Sequence, residues 1–330
     1  MRRRELITLG GTSVLWCGLA HGQLSPRRRI AMIAPSRPVE DLKTHPYYRS
    51  FLDELNGQGF VEGENLVVDR YSAHGDATTY GELARKVVAS RPEAIFTSGS
   101  QMVTQLKAAT TSIPIVASVG DPVAFGLASS LAKPGTNLTG VTVDAGYELY
   151  GKRLALLLEL NPGASVFGYL SSRFNWGRAM GAAVREAAHR ANISLRHIDL
   201  GTSFSDAAYA AAFGSIEKSD AAALLVSDEP EHLSSTSTLV DLAASVRIPT
   251  MHPFRDLVVA GGLMSYHIDL FETFRYAGNQ VAQILRGKNP AEMPFYQPTK
   301  FQFIINMKTA QRIGPELPVS VLARADEVIE

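Results

Sequence analysis

Three short residues, Ser98-Gly99-Ser100, stand between an apolar run, Ala94–Thr97, and a stretch with helical spacing. A glycine lets backbone approach a ligand closely. A helix beginning there offers free N–H groups and the positive end of its dipole, which suits a carboxylate. The competing role is an ordinary capping turn with Ser100 as the cap. Asp121 and Asp228 each follow a separate apolar run, and either suits the ammonium group of a ligand. Capping or turn roles compete here too, most directly for Asp121, which precedes Pro122. Phe174, Trp176, Phe254 and Tyr266 can stack on a flat or apolar ligand part, with core packing as the alternative. Phe174, Asn175 and Trp176 share a polar loop with Arg173, which favours ligand contact in that loop. Arg255 can hold an acid group bidentately or form a surface ion pair. Ser36 after the first strand, Gly120 after the fourth, and Thr142 at a crossing complete the candidate ligand contacts.

Other chemistries lack their residues. There is no G-x-x-x-x-G-K-[ST] loop, no G-x-G-x-x-G after the first strand and no G-x-S-x-G elbow. The eight histidines are scattered without metal spacing. No catalytic residue, metal site or cofactor is therefore expected. Basic and acidic residues number 32 each, and no basic stripe interleaves with aromatics, so nucleic acid is not an expected partner.

The elements that must position these groups alternate along the chain. Ile30–Ala34, Leu66–Val68, Ala94–Thr97 and Ile115–Val119 are short apolar runs separated by stretches of helical spacing. The pattern repeats at Val166–Leu170, Leu195–Ile198, Ala222–Val226 and Ile248–Met251, with helices over about 175–191, through Tyr209 and Phe213, and over about 231–245. Ser112-Ile113-Pro114-Ile115 echoes Arg247-Ile248-Pro249-Thr250, as two copies of one βα module would. This predicts α/β architecture: two doubly wound parallel-sheet domains, with the ligand crevice where their strand C-termini face each other. A long helix is expected over Phe271–Leu285, then an extended crossing through Pro294 and Pro298, a strand at Phe301–Ile305, and short helices to Glu330. Crossings near Thr142, Tyr266 and Phe295 give one lobe from residues 29–142 plus 266–294 and another from 143–265 plus 295–330.

The N-terminus reads as an export signal over residues 1–22. Arg2, Arg3 and Arg4 precede an apolar stretch from Leu6 to Leu19, and the small residues Ala20 and Gly22 precede Gln23. The paired arginines resemble a twin-arginine signal, and the Sec route stays open. Cys17, the single cysteine, lies inside this segment, so its removal leaves a chain without disulfide or thiol chemistry. Removal also takes three arginines and Glu5, leaving the mature chain near neutral.

Several segments together resemble one family: Gly59-Phe60-Val61-Glu62-Gly63-Glu64-Asn65, Gly120-Asp121-Pro122-Val123, Pro134-Gly135-Thr136-Asn137-Leu138-Thr139-Gly140-Val141-Thr142, Ala260-Gly261-Gly262-Leu263-Met264-Ser265-Tyr266 and Leu322-Ala323-Arg324-Ala325-Asp326. They resemble ABC-transporter substrate-binding proteins related to the tryptophan/tyrosine-binding group. The resemblance implies the type I periplasmic-binding-protein fold, a periplasmic location and a small-molecule ligand, and says little about which; the helix start at Ser98–Ser100 adds the expectation of a carboxylate, as in an amino acid. It also implies an ABC permease with its ATPase subunit as partner, contact with the membrane only through that permease, and a monomer. An extracytoplasmic sensor with the same fold, or an enzyme on a doubly wound scaffold, are the alternatives. The chain departs from the family pattern at Glu229, which separates Asp228 from Pro230, and at His267, where a glycine is common.

Overall fold

The computed structural model describes residues 27–143, 147–216, 219–314 and 316–330. The signal segment, Cys17 and the cleavage point before Gln23 lie outside the described residues.

Five strands form the first sheet: β1 (Arg28–Ala34), β2 (Leu66–Ser72), β3 (Ala94–Ser98), β4 (Ile115–Val119) and β5 (Leu138–Thr142). They run parallel in the order β2-β1-β3-β4-β5. Ile30 through Ala34 are fully buried in β1, although alternate side chains point to opposite faces. Helices cover both faces, which is why the strand reads as a continuous apolar run. On one face the helices Pro46–Gly57 and Leu270–Leu285 bring Phe51, Leu55, Ala277 and Val281 onto the sheet. On the other, helices Tyr80–Ala89 and Ser100–Ala109 contribute Tyr80, Val87, Val103 and Leu106. Each such large side chain removed from water contributes about 1.5–3 kcal/mol.

The second sheet holds β6 (Val166–Ser171), β7 (Ser194–Asp199), β8 (Leu224–Val226), β9 (Thr250–His252), β10 (Met264–Ile268), β11 (Phe301–Asn306) and β12 (Glu327–Ile329). Their order is β12-β11-β10-β9-β8-β6-β7, and only the β10–β11 pair is antiparallel. Leu154, Leu157 and Val184 pack on one face, and Tyr209, Phe213 and Leu239 on the other.

Gly140 shows how tightly β4 and β5 approach. A Cβ there would stand 1.9 Å from the Ala117 carbonyl oxygen, and its φ of +149° is one that side chains rarely adopt.

The chain changes sheets between β5 and the Tyr147–Leu160 helix, between β10 and the Leu270–Leu285 helix, and again before β11. Two of these points differ from the sequence expectation. Tyr266 lies inside β10 of the second sheet, so that crossing follows Ile268. Phe295 still packs in the core of the first sheet, and Tyr296 bridges to Val141. The C-terminus also ends in a strand rather than a helix. Ile304, Ile305 and Asn306 of β11 pair with Glu327, Val328 and Ile329, an edge position that three residues reveal only through their partner.

Candidate ligand-binding site

The strand ends of the two sheets meet across a cleft. The loop after β3 lies against the loop after β8: a Cβ on Gly99 would stand 3.1 Å from Pro230 Cγ, and Gly99 has φ +86°. The loop after β4 meets the loop after β6, where Phe125 and Phe174 stack with ring centroids 6.2 Å apart. Beyond β1, Arg37 Nη2 donates to Asp256 Oδ2 at 2.6 Å, and the Tyr47 hydroxyl donates to Asp256 Oδ1 at 3.1 Å. Tyr80 from the first lobe donates to Glu231 of the second. These contacts border a cavity of about 90 Å³.

One wall of the cavity is the start of the Ser100–Ala109 helix. Gly99 takes the capping position and supplies no side chain, while Ser100 opens the helix. The Ser100 hydroxyl accepts from the Gly120 amide at 3.1 Å, which ties this turn to the loop after β4. Ser100 is thus not the cap. Among the described residues no acceptor meets the amides of Ser100, Gln101 or Met102. Free amides at a helix start, aimed into a cleft, favour an anion.

The facing wall is acidic. Asp228 accepts from Arg153 Nη1 at 2.8 Å and from the Tyr150 hydroxyl at 3.1 Å. Arg153 is itself buried, and its Nε donates to the Tyr266 carbonyl at 2.8 Å. Glu229 accepts from the Ser172 amide at 3.0 Å, from the Ser172 hydroxyl, and from the Ser227 hydroxyl at 2.6 Å. All three donors are neutral. Burial raises the Glu229 carboxyl above its ordinary range. Burial, and then the neighbouring Glu229 charge, push Glu231 up to about 7. Of these three carboxylates only Asp228 has a cationic partner among the described residues. Tyr48, Phe125, Phe174, Phe254 and Phe274 supply the apolar surface between the two walls.

Of the residues singled out from the sequence, Ser36, Ser98, Gly99, Ser100, Gly120, Phe174, Asn175, Asp228 and Phe254 line this cavity. Asp121, Thr142 and Tyr266 do not. Asp121 Oδ1 accepts from the Val123 and Ala124 amides at 2.8 and 3.0 Å, the turn role that Pro122 suggested. Thr142 is buried in β5, with its hydroxyl donating to the Gly120 carbonyl at 3.2 Å. Tyr266 points to the opposite face of β10 from Ser265 and His267, and stacks on Phe301 at 5.4 Å. Trp176 is likewise absent from the cavity, lying between His197 at 4.5 Å and Arg185 at 4.4 Å. Arg255 forms a bidentate pair with Glu327.

The cavity also draws in Arg37, Arg153, Glu229, Glu231 and His267, which residue patterns did not single out as ligand contacts. The acidic run Asp228-Glu229-Pro230-Glu231 was a visible signal. Arg153 carried none, since an arginine in an ordinary helix reads as solvated.

Two α/β lobes of parallel strands, closed on a cavity that holds free helix amides and buried carboxylates, define a type I periplasmic-binding-protein fold built to enclose a small molecule. The chain belongs to the ABC transporter substrate binding protein family, whose model matches residues 33–329. Members of this family work outside the cytoplasm, capture a small-molecule ligand and present it to an ABC permease. A tyrosine-binding protein of Clostridioides difficile (strain R20291) is 27% identical over 282 residues, covering 83% of this chain and 79% of that one. A Streptococcus structure solved in complex with L-Trp superposes with a TM-score of 0.79 at 23% identity, covering 92% of this chain and all of the other. A ligand-free, open substrate-binding protein from Clostridium difficile gives a TM-score of 0.61 at 23% identity, with 92% and 99% covered. No helix among the described residues is long and apolar enough to cross a membrane.

Proposed function

We propose that this protein is the solute receptor of an ABC importer for an α-amino acid with an apolar or aromatic side chain, which it binds without turnover. The observation that carries this reading is the opposition of two walls. Free amides of Ser100 and Gln101 face a loop where the Glu229 carboxylate is buried without a cationic partner. A zwitterion satisfies both: its carboxylate lies on the helix start and its ammonium meets the acidic loop. Asp228, to which residue types alone assigned the ammonium, already has Arg153, so Glu229 takes the larger part. The aromatic surface between the walls then covers the ligand side chain.

The names of the tyrosine-binding relative and the L-Trp complex support the same ligand class. The receptor acts as a monomer, reaches the periplasm by cleavage before Gln23 through the twin-arginine or Sec route, and feeds a permease driven by an ATPase subunit.

Titration calorimetry with a panel of L-amino acids tests this. The parent should bind at least one apolar or aromatic member. Glu229→Gln keeps the shape and the serine hydrogen bonds with its oxygen in the Oε2 place, because the Ser172 hydroxyl can rotate to accept from the amide nitrogen. It should bind that ligand about ten- to a hundredfold more weakly, the loss of one charge-assisted hydrogen bond. Equal binding by this variant, or binding only of uncharged sugars, would overturn the assignment.

A further inference from the structure

We propose that Arg153 and His267 form a second polar subsite, on the hinge side of the cavity, that recognises a phenolic hydroxyl at the end of the ligand side chain. This rests on the amino-acid reading above and names the side chain that reading left open.

Both residues line the cavity and both are buried, Arg153 at 1% and His267 at 4% exposure. Each is held from behind. Arg153 uses Nη1 on Asp228 and Nε on the Tyr266 carbonyl. His267 shares a hydrogen bond between Nδ1 and the Ser265 hydroxyl at 3.0 Å. Among the described residues, neither Arg153 Nη2 nor His267 Nε2 has a protein partner. The side-chain atoms that lack a partner and are fully occluded are His45 Nδ1, Arg70 Nε, Asn161 Nδ2, His252 Nδ1 and Gln280 Oε1. Arg153 Nη2 and His267 Nε2 are not among them, so both reach open space, and the space beside both residues is the cavity.

The chemistry of these two nitrogens selects the group between them. Arg153 Nη2 can only donate, so the ligand atom must accept. His267 is neutral, because burial and the adjacent Arg153 charge lower it to about 4. Its Nε2 donates or accepts according to which way the Ser265 hydroxyl turns. A hydroxyl accepts from Arg153 and meets His267 in either tautomer. A carboxylate fits less well: Asp228 already neutralises Arg153, and Glu229 lies on the next residue without a cation. Leu149, Ile268 and Phe274 line the same cavity with apolar surface, which suits the ring that carries the hydroxyl.

The test is calorimetry with L-tyrosine and L-phenylalanine on the parent, His267→Leu and His267→Gln. The parent should prefer tyrosine by about tenfold or more, because phenylalanine leaves two buried polar groups unmet. His267→Leu should bind phenylalanine at least as well as the parent does and bring the two affinities within about threefold. His267→Gln, a neutral donor and acceptor, should keep most of the preference. Equal affinity of the parent for both amino acids, or an unchanged ratio in His267→Leu, overturns the subsite and leaves the amino-acid reading standing. Failure of the parent to bind any α-amino acid overturns both.

Discussion

The Tyr80 hydroxyl of one lobe donates to the Glu231 carboxylate of the other, and both side chains are buried where they meet. Opening the cleft would return Glu231 to water and to its ordinary value of 4.5, whereas the closed form holds it at about 7. Closure therefore takes up a proton between these values. Its stabilising effect is complete below about pH 4.5 and is lost as pH rises through about 7. His267 works in the opposite direction, since its closed-form value of about 4 lies below the ordinary 6.5. The Glu231 contribution is isolated by comparison with Glu231→Gln. Ligand affinity of the parent, relative to that variant, should fall by about ten- to a hundredfold from pH 5 to pH 8. Calorimetry across that range would show a flat ratio if Glu231 does not couple closure to protons.

Asp256 fastens the same two lobes at another point, accepting from Arg37 at 2.6 Å and Tyr47 at 3.1 Å. It does not line the cavity, so it affects how long the ligand stays rather than how it is recognised. Asp256→Ala should raise the dissociation rate about tenfold, the equivalent of one part-buried charged hydrogen bond, with little change in association rate. Stopped-flow fluorescence separates the two rates. A slower association with unchanged dissociation would count against a latch.

Arg153 and Asp228 form a buried pair whose partners depend on each other. Removing Asp228 strands a guanidinium that is 1% exposed. Asp228→Ala should lose about 3–5 kcal/mol of folding stability even without ligand. Chemical denaturation of the ligand-free protein measures this, and an unchanged midpoint would mean that Arg153 finds another partner.

Gly140 and Gly151 differ in their surroundings. A Cβ at Gly140 meets backbone at 1.9 Å, while one at Gly151 meets nothing within 4 Å. Gly140→Ala should therefore fail to yield folded protein. Gly151→Ala, in the Tyr147–Leu160 helix, should stabilise by about 0.5–1 kcal/mol. Thermal melting of the two variants gives the comparison, and comparable behaviour of both would contradict the close β4–β5 approach.

The α/β architecture, a crevice at the strand ends and a minority of the residues that line the cavity were legible in the amino-acid order. The reason is local. Strands covered on both faces must be apolar throughout, helices between them must show their own period, and a Ser-Gly-Ser turn between the two can only sit at a strand end. Phe174, Phe254, Ser98 and Gly120 follow from position alone. What needed the tertiary structure were relations between distant residues. Asp121 and Asp228 look alike in sequence, yet one turns back on the amides of Val123 and Ala124 while the other meets Arg153, 75 residues away. Tyr266 and His267 are neighbours, and the pleat of β10 sends them to opposite faces; pairing with β9 and β11 decides which face is the cavity. The surroundings of Glu229 and Glu231 are likewise tertiary: Glu229 is held by Ser172, 57 residues away, and Glu231 by Tyr80 of the other lobe, 151 residues away.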